Sequence, residues 1–341
     1  MTRETDLMEY RRKIADDIAD EIEVAHRRAL YEIQKDIAYY LDRIAVDNHL
    51  SYEQARQLLT RGELEALRMT YGEYMGLLDF YPDIDDVADL ALKNASNSHE
   101  ITRLQAIEIQ VKRNVDRLYQ IIHSKTEKML KDTYRQIFYQ ELFSIQSVQG
   151  YARVDRLDDE TLWKIINVPW SKGGKNYSDA IWDNREKVNW ALDQVIGQST
   201  IRGDDIERAV LLMEDRLQIS ANAARRLLHT ENGYMQSRAT RDAIEESPAE
   251  YYQIDATLDT RTSDICRDMD GKKIKVEDWD PGATAPPFHP NCRTVIMPSF
   301  DDDIERRIDE KAGRAMRKDT RSKWTETGNL TYRQWENQYV M

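Results

Sequence analysis

The most regular signal in the chain is an apolar stripe that begins at Ile14 and returns at Ile18, Ile22, Ala25, Ala29, Ile33, Ile37, Leu41 and Ile44. Steps of four and three put these side chains on one face of a long helix, which Asp47 and Asn48 are expected to end. Ser51 followed by Gln54 has the spacing of a capping box and predicts a second helix through Leu58, Leu59 and Leu64. Loop signals follow at Tyr81, Pro82 and Asp83 and again from Asn94 to Ser98. A third stripe then runs Ile101, Leu104, Val111, Val115, Leu118 and Ile122, and a fourth covers Met129, Leu130, Tyr134, Ile137, Phe138 and Leu142. Helices this long and this one-sided pack on each other or on a partner.

Past residue 150 the pattern changes. Pro169, Gly173 and Gly174 interrupt it, and a helix is expected to restart at Ser178 with Trp182 and Trp190 as anchors. Asp204 and Asp205 read as the opening of a helix that buries Ile206, Val210, Met213 and Leu217, and Ser220 as the cap of the next. The buried stripe of that next helix is Ala224, Leu228, Glu231, Met235 and Arg238 or Ala239, so Glu231 falls where an apolar residue is expected and needs a partner.

The period then becomes two: Tyr252, Ile254, Ala256 and Leu258 alternate with Gln253, Asp255, Thr257 and Asp259, which predicts a strand. Thr262 or Ser263 caps a short helix that Gly271 stops, Ile274 and Val276 lie in a second strand, and a loop from Trp279 to Pro290 leads to a third β-prone run at Arg293 to Met297. The fold class read from these periods is mainly α with a C-terminal α+β module: long N-terminal helices, a helical middle and a small sheet near residues 250–300. The chain divides into a long-helix region (1–150), a linker with a Trp-anchored helix (151–200), the C-terminal module (201–300) and a basic-aromatic tail (301–341).

Composition narrows the function. With 341 residues, 33% of them charged, and only 13 Gly and 8 Pro, the chain reads as ordered and helix-rich, with ample length to bury a core. A net charge of -13 excludes a protein that coats nucleic acid through a diffuse positive field. Any contact with DNA must then be local. The cluster Lys311, Arg314, Arg317, Lys318, Arg321 and Lys323 is the candidate for it, a solvated helix face being the other reading. No run approaches the roughly twenty apolar residues of a membrane span, and Met1 to Tyr10 lacks the apolar core of a signal peptide, so the expectation is no membrane segment and a start in the cytoplasm.

In a reducing cytosol Cys266 and Cys292 read as free thiols or metal ligands rather than a disulfide. With His289 they form C-x22-H-x2-C, a set of zinc-ligand types that needs a fourth donor such as Asp259 or Asp264 to close. The structural alternative is a pair of small buried thiols beside a hydrogen-bonded histidine, in a loop already restricted by Pro286, Pro287 and Pro290. On that reading no cofactor is expected, zinc being the one these residues would suit.

The catalytic readings lack partners. The H-x-E and P-C-x-x-C signature of nucleobase deaminases is absent, and a Cys-His nucleophilic pair has no evident orienting group. Glu231 and Asp259 have two readings, paired acid-base carboxylates or members of a structural network. The second is preferred: Glu231 ion-pairs with Arg261, and Thr230, Asp259 and Thr262 complete a set that fastens helix to sheet. No catalytic residue is assigned.

The segment from Tyr252 to Pro298, with ATLDTRTSDIC at residues 256–266, the pair Asp270-Gly271, and PPFHPNCR at 286–293, closely resembles the C-terminal signature of phage Mu F-like minor head proteins. The resemblance extends to RRLLHTE at Arg225 to Glu231, to PWSKGGKNYSDAIW at Pro169 to Trp182, and to the stretch from Ser51 to Met75. It implies a few-copy minor capsid protein that acts in head morphogenesis, sits inside the procapsid near the portal, and in some relatives leaves with the DNA on ejection. The implied partners are the portal protein, the major capsid or scaffolding protein and packaged DNA. The implied locations are the virion interior and, during assembly, the host cytoplasm. Many relatives carry two further cysteines where this chain has Ser263 and Thr294, so a four-cysteine metal site is not available here. The competing classes are a toxin-like or metal-dependent enzyme effector carried in the virion, and a portal-docking adaptor.

Overall fold

The structure is a computed structural model that describes residues 3–47, 68–70, 100–171, 173–202, 206–247, 249–299 and 330–341. Among these the chain is mainly helical, with one small three-stranded sheet near its C-terminal end. Helix α1 spans Arg3–Asp47, α2 Arg103–Gln149, α3 Asp159–Ile166, α4 Tyr177–Arg202 and α5 Ile206–Glu245. A short antiparallel pair joins β1 (Arg68–Thr70) to β2 (Glu100–Thr102), pairing Arg68 with Thr102. The helix expected at 51–64, the loops at 81–98, the helix opening at Asp204 and Asp205, and the basic cluster at 311–323 lie outside the described residues.

Two long helices replace what the periodicity suggested were four shorter ones. The third and fourth stripes belong to the single helix α2, because His123 to Lys128 holds no glycine or proline that would break it, and Thr126 is buried in line with its neighbours. Ser220 likewise does not begin a helix but sits buried inside α5.

On α1 the buried positions among the described residues are Ala15, Ala19, Ile22, His26, Ala29, Ile33, Asp36 and Ile37. This seam repeats at 3.5 residues, the period of helices that stay in contact over many turns, and at its start it uses the alanines in place of the expected Ile14 and Ile18. His26 takes the place expected of Ala25 by the same register.

Residues 20–123 and 180–224 form one compact unit; residues 1–19, 124–179 and 225–341 form the other. In the first unit, the polar residues on the seam are paired between helices. Asn114 Nδ2 donates to Asp36 Oδ2 at 2.9 Å, and Lys112 reaches Asp193 at 3.0 Å. Burial lowers the His26 pKa and so favours the neutral ring, whose Nδ1 lies 2.8 Å from the Ile22 carbonyl and whose Nε2 lies 3.1 Å from the Ser220 hydroxyl. Tyr119, its phenol pushed up to about 12 by burial, supplies the next link at 2.8 Å to the same hydroxyl. A single proton arrangement satisfies all of them: Tyr119 donates to Ser220, Ser220 to Nε2, and Nδ1 to the carbonyl. The serine that read as a helix cap is therefore a junction of α1, α2 and α5. Trp182 stacks on His123 with centroids 5.6 Å apart and lies under Arg185, whereas Trp190 is 66% exposed and anchors nothing.

The second unit holds the sheet, in the order β4 (Lys273–Lys275), β3 (Tyr251–Asp255), β5 (Val295–Ser299), antiparallel throughout. Tyr252, Ile254 and Ile296 from the sheet close a core with Ile244 of α5 and Ala285 of the loop. The alternation holds through Ala256 and fails at Leu258, which is 62% exposed because the strand ends at Asp255 and the chain turns.

Helix α6 (Asp264–Met269) follows, with Ser263 at its N-cap, and Gly271 behind it adopts φ +73°, where a Cβ would be strained. The last helix, α7 (Tyr332–Tyr339), starts at a capping box made by Thr331 and Gln334. Its Trp335 is fully buried beside Tyr139 and Phe143 and donates its indole N–H to Gln146 at 2.8 Å, so the aromatic end of the chain is docked rather than a free tail.

Replacing Trp335 by Ala should destabilise the second unit by about 3–5 kcal/mol, since it removes a large buried ring and strands the Gln146 acceptor. Hydrogen exchange should then rise first over residues 330–341 and the C-terminal turns of α2. Exchange unchanged there would place the tryptophan at the surface.

Candidate functional site

Three groups of side chains in the second unit cover the residues singled out in the sequence. The first is centred on Glu231, which is 5% exposed on the inward face of α5. Its carboxylate accepts the Trp170 indole N–H at 2.9 Å, and Trp170 stacks on Tyr234 one helical turn along, with ring centroids 4.5 Å apart. The expected ion pair with Arg261 does not form, because Arg261 lies against Asp259 instead and a neutral donor from the linker takes its place. Burial pushes the Glu231 carboxyl up to about 7, with the Trp170 hydrogen bond pulling the other way. Along the same helix, Tyr134 donates to Asp242 at 2.6 Å, Thr133 to Asn232 at 3.0 Å and Trp279 to Ser237 at 3.1 Å.

The second group is the turn after β3. Asp259 accepts from the Arg261 amide at 2.8 Å, its own amide donates to the Thr262 hydroxyl at 2.8 Å, and Thr262 donates on to the Thr257 carbonyl at 2.5 Å. Arg293, just before β5, grips both oxygens of Asp259 in a bidentate pair and holds that carboxyl well below the usual range. Asp259, Arg261 and Thr262 are thus brought together, while Glu231 stands in a separate network. Thr230 serves a different link again: its hydroxyl accepts the Asn291 amide at 3.1 Å and ties α5 to the loop.

The third group is Cys266, His289 and Cys292, whose donor atoms all lie within 4.8 Å of one another. Cys266 Sγ is 3.2 Å from His289 Nε2 and 3.7 Å from Cys292 Sγ. Helix α6 presents the first cysteine. The other two residues face it because Asn291, at φ 59°, turns the chain and the Cys292 amide bonds back to the His289 carbonyl at 3.2 Å. Both thiols are buried with Ala256 under Phe288, and burial pushes the Cys292 thiol up. Neither Asp259 nor Asp264 joins the set among the described residues. Beside the group, a cavity of about 330 Å³ is lined by residues that include Arg12, Asp16, His229, Gln236, Arg261 and Arg293, with Cys292 also on its wall.

Sequence reasoning missed Trp170, Arg293 and Asn291. Arg293 and Asn291 lie within the motif PPFHPNCR, and Trp170 within PWSKGGKNYSDAIW, each without a role that the sequence assigns, because partner choice across long sequence gaps leaves no local signal.

Glu231→Gln in the full chain tests the buried acid. The folded protein holds this proton more tightly than the unfolded chain, so its contribution is full below the ordinary value of 4.5 and is lost as pH rises through about 7. The shift corresponds to on the order of 3 kcal/mol. Glutamine keeps an acceptor for Trp170 and cannot ionise, so the melting temperature of the variant should fall less than that of the wild type between about pH 5 and pH 8. Parallel pH profiles for the two proteins would show that Glu231 is solvated.

No curated protein and no solved structure gives a significant match to the chain. The family model described as Phage Mu protein F like protein matches residues 190–297, a span that contains α5, all three strands of the sheet but the end of β5, and every member of the three groups except Thr133, Tyr134 and Trp170. Residues 190–297, about a third of the chain, are thus similar to the Phage Mu protein F like family.

Proposed function

We propose that this chain is a phage head morphogenesis protein, a minor capsid component that works inside the procapsid near the portal, assists head assembly and accompanies the DNA at ejection. The observation that carries the reading is the family match over residues 190–297. The side chains agree with a structural role. The two carboxylates best suited to acid-base chemistry are each committed, Glu231 to the Trp170 indole and Asp259 to the Arg293 guanidinium, and both bonds fasten elements of the fold together. The partners fit the same reading: the portal, the major capsid or scaffolding protein, and packaged DNA through the basic cluster at 311–323. Docking falls to the long-helix region, where Val24 and Tyr31, seven residues apart on α1, remain exposed opposite its buried seam.

The chain, expressed together with the portal, scaffolding and major capsid proteins of its own phage, should sediment with procapsids. Cross-linking mass spectrometry should then join residues 1–150 to the portal. Recovery in the soluble fraction alone, with no such cross-links, would overturn the assignment.

A further inference from the structure

The Cys266, His289 and Cys292 group has a geometry that hydrogen bonding alone does not require. Zinc bonds of about 2.3 Å to sulfur and about 2.0 Å to nitrogen put two tetrahedral thiolate ligands roughly 3.7–3.8 Å apart and a thiolate and an imidazole roughly 3.6 Å apart. The two sulfurs stand at 3.7 Å, and the Cys266 to His289 separation of 3.2 Å needs to open by only a few tenths of an ångström. His289 is also prepared as a ligand: its Nδ1 lies 2.8 Å from the Pro290 carbonyl, the bond that assigns the proton to Nδ1 and leaves the Nε2 lone pair facing the sulfur. The local charge is balanced as well. A divalent cation with two thiolates and a neutral imidazole sums to zero, which suits a group whose two sulfurs are buried among apolar atoms.

We propose that Cys266, His289 and Cys292 bind one thiophilic divalent cation, zinc by ligand type, with the fourth position taken by water or another small donor. Three protein donors from two elements, α6 and the loop that precedes β5, would then be cross-linked at the edge of the sheet. The His289 ring is partly exposed, so solvent reaches the group. The competing chemistry, a disulfide between the cysteines, requires the sulfurs to close from 3.7 Å to about 2.05 Å and two electrons to pass to an oxidant. The inference does not rest on the head-protein reading; it would hold whatever the chain assembles with.

The full-length protein, purified under reducing conditions and reconstituted with Zn(II), should carry one zinc per chain by elemental analysis. Reconstitution with Co(II) should give thiolate-to-cobalt charge transfer and the intense visible bands of a tetrahedral ion, a readout on the wild type that needs no variant to fold. Cys266→Ser, Cys292→Ser and His289→Ala should each weaken zinc by at least about tenfold, with far-ultraviolet circular dichroism checking the fold. Zinc well below one per chain after reconstitution, cobalt spectra without charge transfer, or full zinc retention in the doubly substituted Cys266→Ser, Cys292→Ser protein would overturn the proposal. So would a Cys266 to Cys292 disulfide in peptide maps together with no metal uptake after reduction.

Discussion

A carboxyl group carried into the interior on a helix face must keep its proton or find a donor, because an isolated charge in apolar surroundings costs far more than a packed hydrogen bond returns. Glu231 does both, and the second unit is arranged around that requirement. The donor comes from the linker, so Trp170 must cross α5 at one place, and its stacking on Tyr234 fixes where. Tyr234 in turn lies near Trp279, whose indole bonds to Ser237 of the same helix and whose ring lies under Arg241. Linker, helix and loop are thereby set to one register, and the next residues of the helix are free to engage the loop that carries His289 and Cys292.

The same economy governs the first unit, where the polar positions of the seam are the ones that specify it. Alanine and isoleucine at a 3.5-residue period allow long helices to slide or rotate without large loss. His26, Ser220 and Tyr119 do not, since any shift breaks a fully satisfied buried chain of hydrogen bonds. Asp36 with Asn114 fixes a second point along the same pair of helices.

What was legible in the sequence follows from how local the deciding physics is. The helix faces on α2 from Val111 and on α5 from Ala224 to Ala239, the alternation at Tyr252 to Ala256 and the turn at Gly271 are written in spacing over a few residues and lie where the sequence puts them, whereas α1 keeps the helical period but buries Ala15 and Ala19 in place of Ile14 and Ile18. Helix ends were less legible: Ser220 has the chemistry of a cap, and only the arrival of His26 and Tyr119 from distant segments makes it an interior residue. The network around Asp259 was legible only in part: Asp259, Arg261 and Thr262 come together, whereas Thr230 and Glu231 serve other links and Arg293 completes the set. The sequence offered the cysteine and histidine group as three ligands where four are usual, which favoured a metal-free reading; the distances between their donor atoms change that weight.

The matched segment, residues 190–297, contributes to both compact units, since one includes residues 180–224 and the other begins again at 225. Several of its polar residues find their partners outside it: Ser220 with His26 and Tyr119, Glu231 with Trp170, Asn232 with Thr133, Asp242 with Tyr134. The stretch matched as one block is therefore not one that completes its own interior. A substitution at Ser220, Glu231, Asn232 or Asp242 strands a donor or acceptor on α1, α2 or the linker, so each of these positions is constrained by residues that lie far outside the matched stretch.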